Sequence, residues 1–131
     1  MAEESLDLRS VYDAVGGMPA FESLVERFYE GVAADEVLSA MYAEAEHDAA
    51  KRRLSRFLAQ YWGGPPTYSE ERGHPRLRMR HFAFAIDGDA RDRWVRCMAS
   101  ALDACAFPAP VDAAMREYFD RAATHLVNRG E

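Results

Sequence analysis

The 131-residue sequence contains no apolar run approaching the roughly 18 to 20 residues that a membrane-spanning helix requires. Its first ten residues, MAEESLDLRS, have neither a basic start nor an apolar stretch and do not resemble a signal peptide. No segment alternates apolar and polar residues as a half-buried strand does, and there is no internal repeat or low-complexity tract. We therefore expect an all-α protein in the cytoplasm, with no membrane partner.

Positive charge and cysteine are both scarce. Sixteen Lys and Arg against 22 Asp and Glu give a formal net charge of -6, which would repel nucleic acid and anionic membranes as general partners. The two cysteines, Cys97 and Cys105, lie on one predicted helix, roughly 12 Å apart along its axis at 1.5 Å per residue. That separation is too large for a disulfide, so we expect both to be reduced.

Apolar residues recur at helical spacing in several segments that are separated by glycine and proline. We expect residues 1–10 to form a flexible extension, residues 11–131 to form one domain, and residues 63–75 to be a loop because they contain three prolines and three glycines. A short helix is predicted to open at His74-Pro75. The helix starts are predicted at Ser10, Pro19, Asp35, Asp48 and Asp87.

The four histidines show no pair with the spacing of a zinc site, and the cysteines supply none with a nearby histidine. A single histidine can still hold a metal if a macrocycle supplies four nitrogens, as in haem. His81 is the best candidate, because it follows Leu77 by one turn on a helix whose arginines could meet haem propionates. Those arginines are Arg76, Arg78 and Arg80. We interpret His47 and His74 as loop residues and His125 as a residue at a helix C-terminus.

Other interpretations of these residues remain open from the pattern alone. Taken alone, the segment RLRMRH favours a solvated basic helix face, and a second alternative is an anion or nucleic-acid contact that uses Tyr68 and Phe82 as stacking groups. Periodicity alone likewise favours Tyr29, Tyr42 and Trp94 as core aromatics whose polar tips reach backbone carbonyls.

Four strings resemble the group II truncated haemoglobins: VYDAVGG (11–17), RFY (27–29), FLAQYWGGPPTYSEERGHPRLRMRH (57–81) and DRWVRCM (92–98). The resemblance runs in order through nearly all of residues 11–128. It implies a globin-like two-over-two helical sandwich around haem b, with a short proximal helix. One helix pair would be the second helix and the helix ending at Trp62, and the other would be the helix holding Trp94 and the last helix. The glycine pairs 16-17 and 63-64 match the sharp turns of that fold.

The resemblance also assigns roles to single residues. His81 matches the proximal iron ligand, and Tyr29, Tyr42 and Trp94 match the polar aromatics of the distal side. Ala50 matches the place where many haemoglobins have a distal histidine, so phenol and indole groups would supply the hydrogen bonds to bound oxygen. Apolar pocket walls are implied at Phe28, Leu54, Phe57, Trp62, Leu77 and Met79, and propionate partners at Arg53 and, more weakly, Arg78.

The function implied is reversible binding of O2, CO and NO at the haem iron, with slow release of oxygen. The enzymatic alternative is peroxidase-like or nitric oxide dioxygenase chemistry. Since the sequence has no dinucleotide-binding glycine motif, that alternative would need a separate reductase as electron donor. Association of two copies of this chain into a homodimer is also compatible with the sequence. A third alternative is a haem-free helical domain that binds a partner through the arginine-rich segment.

Overall fold

A computed structural model describes residues 8–41, 47–73 and 86–127 of the chain. Every regular element within these ranges is a helix, which confirms the all-α prediction. None of the described helices is both long enough and apolar enough to cross a membrane. The helices are α1 (Leu8–Val15), α2 (Met18–Ala34), α3 (Glu36–Met41), α4 (His47–Tyr61), α5 (Thr67–Arg72), α6 (Gly88–Cys105) and α7 (Ala109–His125).

Two of the predicted helix starts, Asp35 and Asp87, are confirmed, and the start predicted at Pro19 differs from the observed one by a single residue. Pro19 is the second residue of α2, where its missing N–H has no helical partner to lose. Asp35 precedes α3, and its Oδ1 accepts hydrogen bonds from the N–H groups of Val37 and Leu38, each at 2.9 Å. Asp87 precedes α6 and accepts from the Ala90 N–H at 2.9 Å. The carboxylates therefore satisfy backbone donors that the first helical turn leaves unpaired.

Two other starts were predicted wrongly. Helix α1 begins at Leu8, so Ser10 lies inside it, and α4 begins at His47, so Asp48 lies in its first turn. His47 was also interpreted as a loop residue and is instead the first residue of α4. An acceptor side chain in the first turn favours a helix N-terminus without selecting one residue, and this explains errors of one or two positions.

The loop predicted for residues 63–75 is interrupted by α5. Pro66 precedes this helix and Gly73, with φ of 77°, ends it. The six residues between them contain neither proline nor glycine, so nothing in the segment opposes a helical turn. The Gln60 side chain ties α5 to α4, because its amide donates to the Ser69 Oγ at 2.8 Å and accepts from the Ser69 N–H at 2.9 Å.

The glycine pairs serve the turns in two different ways. Gly16, Gly17 and Gly63 have φ of 107°, 79° and 103°, a range that L side chains rarely adopt. Gly64 is needed because of a close approach: a Cβ atom there would lie 2.5 Å from Cδ1 of Tyr12 and 2.9 Å from the Ala59 carbonyl oxygen. At the junction of α1 with the end of α4, the backbone of Gly64 therefore packs directly against the Tyr12 ring.

Helix α2 occupies the centre of the fold and packs against both α4 and α6, while α7 packs against α6. The pairs α2 with α4 and α6 with α7 are the two layers expected for a two-over-two sandwich. Gly31 lies where α2 crosses α6, so that a Cβ atom there would be 3.2 Å from the Cys97 Sγ. Cys97 and Cys105 form no disulfide, as predicted, and both are half-buried. The core contains Phe21, Leu24, Phe28 and Val32 of α2, Leu58 of α4, Met98 and Leu102 of α6, and Met115 and Phe119 of α7.

Candidate functional site

Phe28 lies between two of the predicted distal residues. Its ring centroid is 5.3 Å from that of Tyr29, at an interplanar angle of 85°, and 5.1 Å from that of Trp94, at 60°. Both are edge-to-face arrangements that aromatic rings favour. Phe28 is fully buried and Tyr29 is 7% exposed, whereas Trp94 is half-buried. One core ring of α2 thus brings a phenol and an indole together.

One face of α4 carries apolar side chains that the core does not fully cover. Ala50, Leu54 and Phe57 follow one another at helical spacing, and all three pack against the core while remaining half-buried. Trp94 of α6 is in the same state. Exposed apolar surface costs roughly 25 cal/mol per Å², so a flat apolar group placed against these side chains would be held favourably. The donor set and the apolar walls therefore fit a haem macrocycle.

Lys51 places the first half of α4 beside Tyr29. Its Nζ lies 5.9 Å from the centroid of the Tyr29 ring and 3.1 Å from a carboxylate oxygen of Glu26 on α2. Since Lys51 directly follows Ala50, the helix segment with the small alanine lies close to the Tyr29 ring.

Phe119 is a part of this site that the sequence pattern did not single out. Its ring lies 5.8 Å from that of Trp94, and its side chain is 3% exposed. Phe119 belongs to the apolar stripe of α7, but which side chain of α6 that stripe meets depends on how the two helices pack. Trp94 is thus held between Phe28 of α2 and Phe119 of α7.

The structure also describes the surroundings of Trp62 and Arg53, which were predicted to line and to flank the pocket. Trp62 is buried just after α4, with ring contacts to Tyr61 at 5.2 Å and Tyr118 at 5.7 Å. Its indole N–H has no hydrogen-bond partner within the described ranges. Arg53 is half-buried on α4 and forms no ion pair with a described residue.

The remaining predicted site residues are His81, Tyr42, Leu77, Arg78 and Met79, and they lie outside the described residues, as does the predicted proximal helix. Within residues 8–41, 47–73 and 86–127, no group of three or more His, Cys, Asp or Glu side chains could hold a metal ion. His125 is exposed in the last turn of α7, where it was predicted.

An ion-pair cluster links α3 to the start of α6. The Nη1 of Arg93 lies 3.3 Å from both carboxylate oxygens of Asp35, and its Nε donates to Asp89 at 2.8 Å. The hydrogen bond from the Leu38 N–H, opposed in part by desolvation and aided by Arg93, lowers the pKa of Asp35 below its usual 3.8. Because Arg93 precedes Trp94, the cluster fixes α3 against the turn that carries the indole.

Comparison with known proteins agrees with this geometry. The family model described as bacterial-like globin matches residues 10–128. The chain belongs to the bacterial-like globin family. A group 2 truncated haemoglobin of Bacillus subtilis is 37% identical over 120 residues, which is 92% of this chain and 89% of that protein. This globin therefore binds haem and small ligands.

Two solved structures show the same fold. The thermostable haemoglobin of Thermobifida fusca is 54% identical, with a TM-score of 0.87 over 90% of this globin and 96% of that chain. The group II truncated haemoglobin of Bacillus anthracis is 34% identical, with a TM-score of 0.87 over 92% and 98%. The Bacillus anthracis structure and the Bacillus subtilis relative place this globin among the group II truncated haemoglobins.

Proposed function

We propose that this globin holds haem b through His81 and binds O2 and related diatomic ligands reversibly, releasing oxygen slowly. The observation that carries the proposal is the position of Phe28, whose buried ring contacts both Tyr29 and Trp94. A phenol and an indole, two side chains that can donate hydrogen bonds, thereby lie within one small region.

The chain offers a residue for each contact that haem needs. His81 would ligate the iron, and Leu77 and Met79 precede it in the sequence by four and two residues. Haem would cover the half-buried face formed by Ala50, Leu54 and Phe57. Arg53, which has no described ion-pair partner, is the first candidate for a propionate, and Arg78 is the second.

Control of the bound ligand would come from Tyr29, Tyr42 and Trp94, because Ala50 offers no imidazole. When bound, haem iron gives oxygen partial negative charge, and hydrogen-bond donors in a site of low dielectric stabilise that charge more than they would in water. Each hydrogen bond to the bound oxygen contributes ~1.5 to 3 kcal/mol, which lowers the dissociation rate by roughly ten-fold to more than a hundred-fold. Release that slow suits storage, sensing or redox use of the ligand better than bulk transport.

A second candidate function is peroxidase-like turnover supported by an external electron donor. Its support is the run of ring contacts from Trp94 through Phe119 to Tyr118 and the exposed Tyr61. Such a chain gives electrons a route between the pocket and the surface.

Stopped-flow measurement of oxygen dissociation from the ferrous protein tests the proposed control. Trp94→Phe and Tyr29→Phe should each release oxygen faster than the parent, by roughly ten-fold or more for a residue that contacts ligand. Tyr12→Phe is the matched control, because the Tyr12 ring stacks on Phe21 and should leave the rate unchanged. A Trp94→Phe rate equal to that of the parent would remove Trp94 as a donor.

A further inference from the structure

Two series of aromatic ring contacts start at Trp94. One passes through Phe28 to Tyr29, which is only 7% exposed. The other passes through Phe119 and Tyr118 to Tyr61, with centroid separations of 5.8 Å, 5.2 Å and 4.4 Å. Of the two, the second reaches the surface, since Tyr61 is 39% exposed.

Tyr61 and Tyr118 form an unusually close pair. Their 4.4 Å separation is the shortest between aromatic rings in the described part of the chain, and the rings are tilted by 32°. Tyr61 ends α4, whereas Tyr118 lies in α7. Tyr118 also borders a groove of about 340 Å³ that is open to solvent and is lined by Arg121, Ala122, His125 and Leu126. Both side chains therefore adjoin solvent, Tyr61 directly and Tyr118 through this groove.

We propose that oxidising equivalents delivered to the haem pocket by a peroxide leave the protein at Tyr61 and Tyr118, and that these two rings couple there into an intramolecular dityrosine. The inference rests on the proposed function, because peroxide must react in the haem-loaded protein. It assigns Tyr61 and Tyr118 as an oxidative modification site, and Trp94 as the residue that passes the charge outward.

The chemistry of the side chains sets the direction of this route. Tryptophan and tyrosine lose an electron far more easily than phenylalanine, so Phe119 bridges Trp94 and Tyr118 without being oxidised itself. Each phenol loses one electron and one proton, and one carbon–carbon bond joins the ring positions next to the hydroxyls. The two displaced ring hydrogens move to the phenol oxygens. The peroxide takes up the two electrons and two protons and becomes two waters.

The two free thiols compete poorly for the charge because both are held in their protonated form. Burial raises the pKa of both Cys97 and Cys105, which keeps them as thiols rather than the more reactive thiolates. Burial and the neighbouring Tyr61 also raise the pKa of Tyr118 to about 12, so Tyr118 enters the reaction as a neutral phenol. Its proton must leave together with its electron, and the adjoining groove provides the exit.

Peptide mapping of the haem-loaded full chain after treatment with hydrogen peroxide tests the proposal. The expected product is one covalent link between the peptides that contain Tyr61 and Tyr118, lighter by two hydrogens than their sum and showing dityrosine fluorescence. Tyr61→Phe and Tyr118→Phe should each abolish it. Tyr12→Phe should retain it, because Tyr12 stacks on Phe21 instead.

The route is tested with Phe119→Leu, which should lower the yield of the link severalfold, against Phe21→Leu, which should not. The Soret band of every variant is recorded first. Failure to bind haem would overturn the proposed function and this inference together. Normal haem binding with no link between Tyr61 and Tyr118, or an undiminished link in Tyr61→Phe, would overturn this inference alone. Photochemical oxidation of the haem-loaded full chain by a ruthenium tris(bipyridine) complex, without peroxide, should also produce the link, and its absence would contradict the pairing itself.

Discussion

Arg93 and Asp35 join two helices that start 52 residues apart in the chain, with the guanidinium Nη1 at 3.3 Å from both carboxylate oxygens. Asp35 is 16% exposed and Arg93 is 23% exposed, so water screens this contact only in part. The same carboxylate caps α3. One side chain therefore sets both where α3 begins and how it lies against the helix that carries Trp94.

Replacing Asp35 by asparagine should destabilise the protein in a pH-dependent way. Asparagine can still cap α3 but cannot form the ion pair. Because folding depresses the pKa of Asp35, its stabilising contribution is fully present above 3.8 and is lost as the pH falls through the lower folded value. Urea unfolding across this range should show the parent more stable than Asp35→Asn near neutrality, with the gap closing below pH 3.8. A difference in unfolding free energy between the parent and Asp35→Asn that does not change with pH would show that the stabilisation does not come from the Asp35 charge.

Replacing Gly64 by alanine should destabilise the junction of α1 and α4. The added Cβ would lie 2.5 Å from the Tyr12 ring and 2.9 Å from a backbone oxygen, and overpacking of this kind typically costs ~1 to 3 kcal/mol. The free energy of unfolding of Gly64→Ala measures the cost. Adding Tyr12→Ala should recover part of it, so that the double variant is more stable than the sum of the single effects implies. Strict additivity would show that the ring is not the obstacle.

Phe28→Leu should accelerate oxygen release although Phe28 itself offers no hydrogen-bond donor. Removing this ring leaves Tyr29 and Trp94 without the side chain that both contact. Phe21→Leu is the matched control, since Phe21 is equally buried on the same helix and stacks on Tyr12. Both variants should lose similar stability, but only Phe28→Leu should change the dissociation rate. Equal rates in the two variants would mean that Phe28 does not position the distal residues.

The long helices could be predicted from sequence because their stability comes from burying one apolar face, and that face appears as a 3.6-residue period. Helix α5 could not, because six residues between Pro66 and Gly73 are too few to show a period. The cap at Asp35 is local and was predicted. Its ion-pair partner Arg93 lies 58 residues away in the sequence. That contact could not be predicted, because it depends on how α3 packs against α6.

At the site, too, local features could be predicted from the sequence, whereas contacts between helices could not. Periodicity marks Tyr29 and Trp94 as residues near a core, but it does not distinguish a core aromatic from a ligand donor, and resemblance to a family supplied that distinction. The contact between Trp94 and Phe119 depends on the register of α6 against α7, which no local pattern encodes.

His81→Gly should abolish the ordinary five-coordinate ferrous spectrum, because the proposed iron ligand is removed. Added imidazole should restore it by occupying the vacated position. His125→Gly is the control, since His125 lies in the exposed last turn of α7. A normal ferrous spectrum for His81→Gly without imidazole would assign the iron ligand to another residue.

The most direct test of haem binding at this site is an absorption titration of the purified full chain with haem, followed by dithionite and carbon monoxide. We predict a Soret band that saturates at one haem per chain, a five-coordinate ferrous form after reduction, and a sharp shift of the band on adding carbon monoxide. A chain that is folded but develops no Soret band would contradict the proposed function.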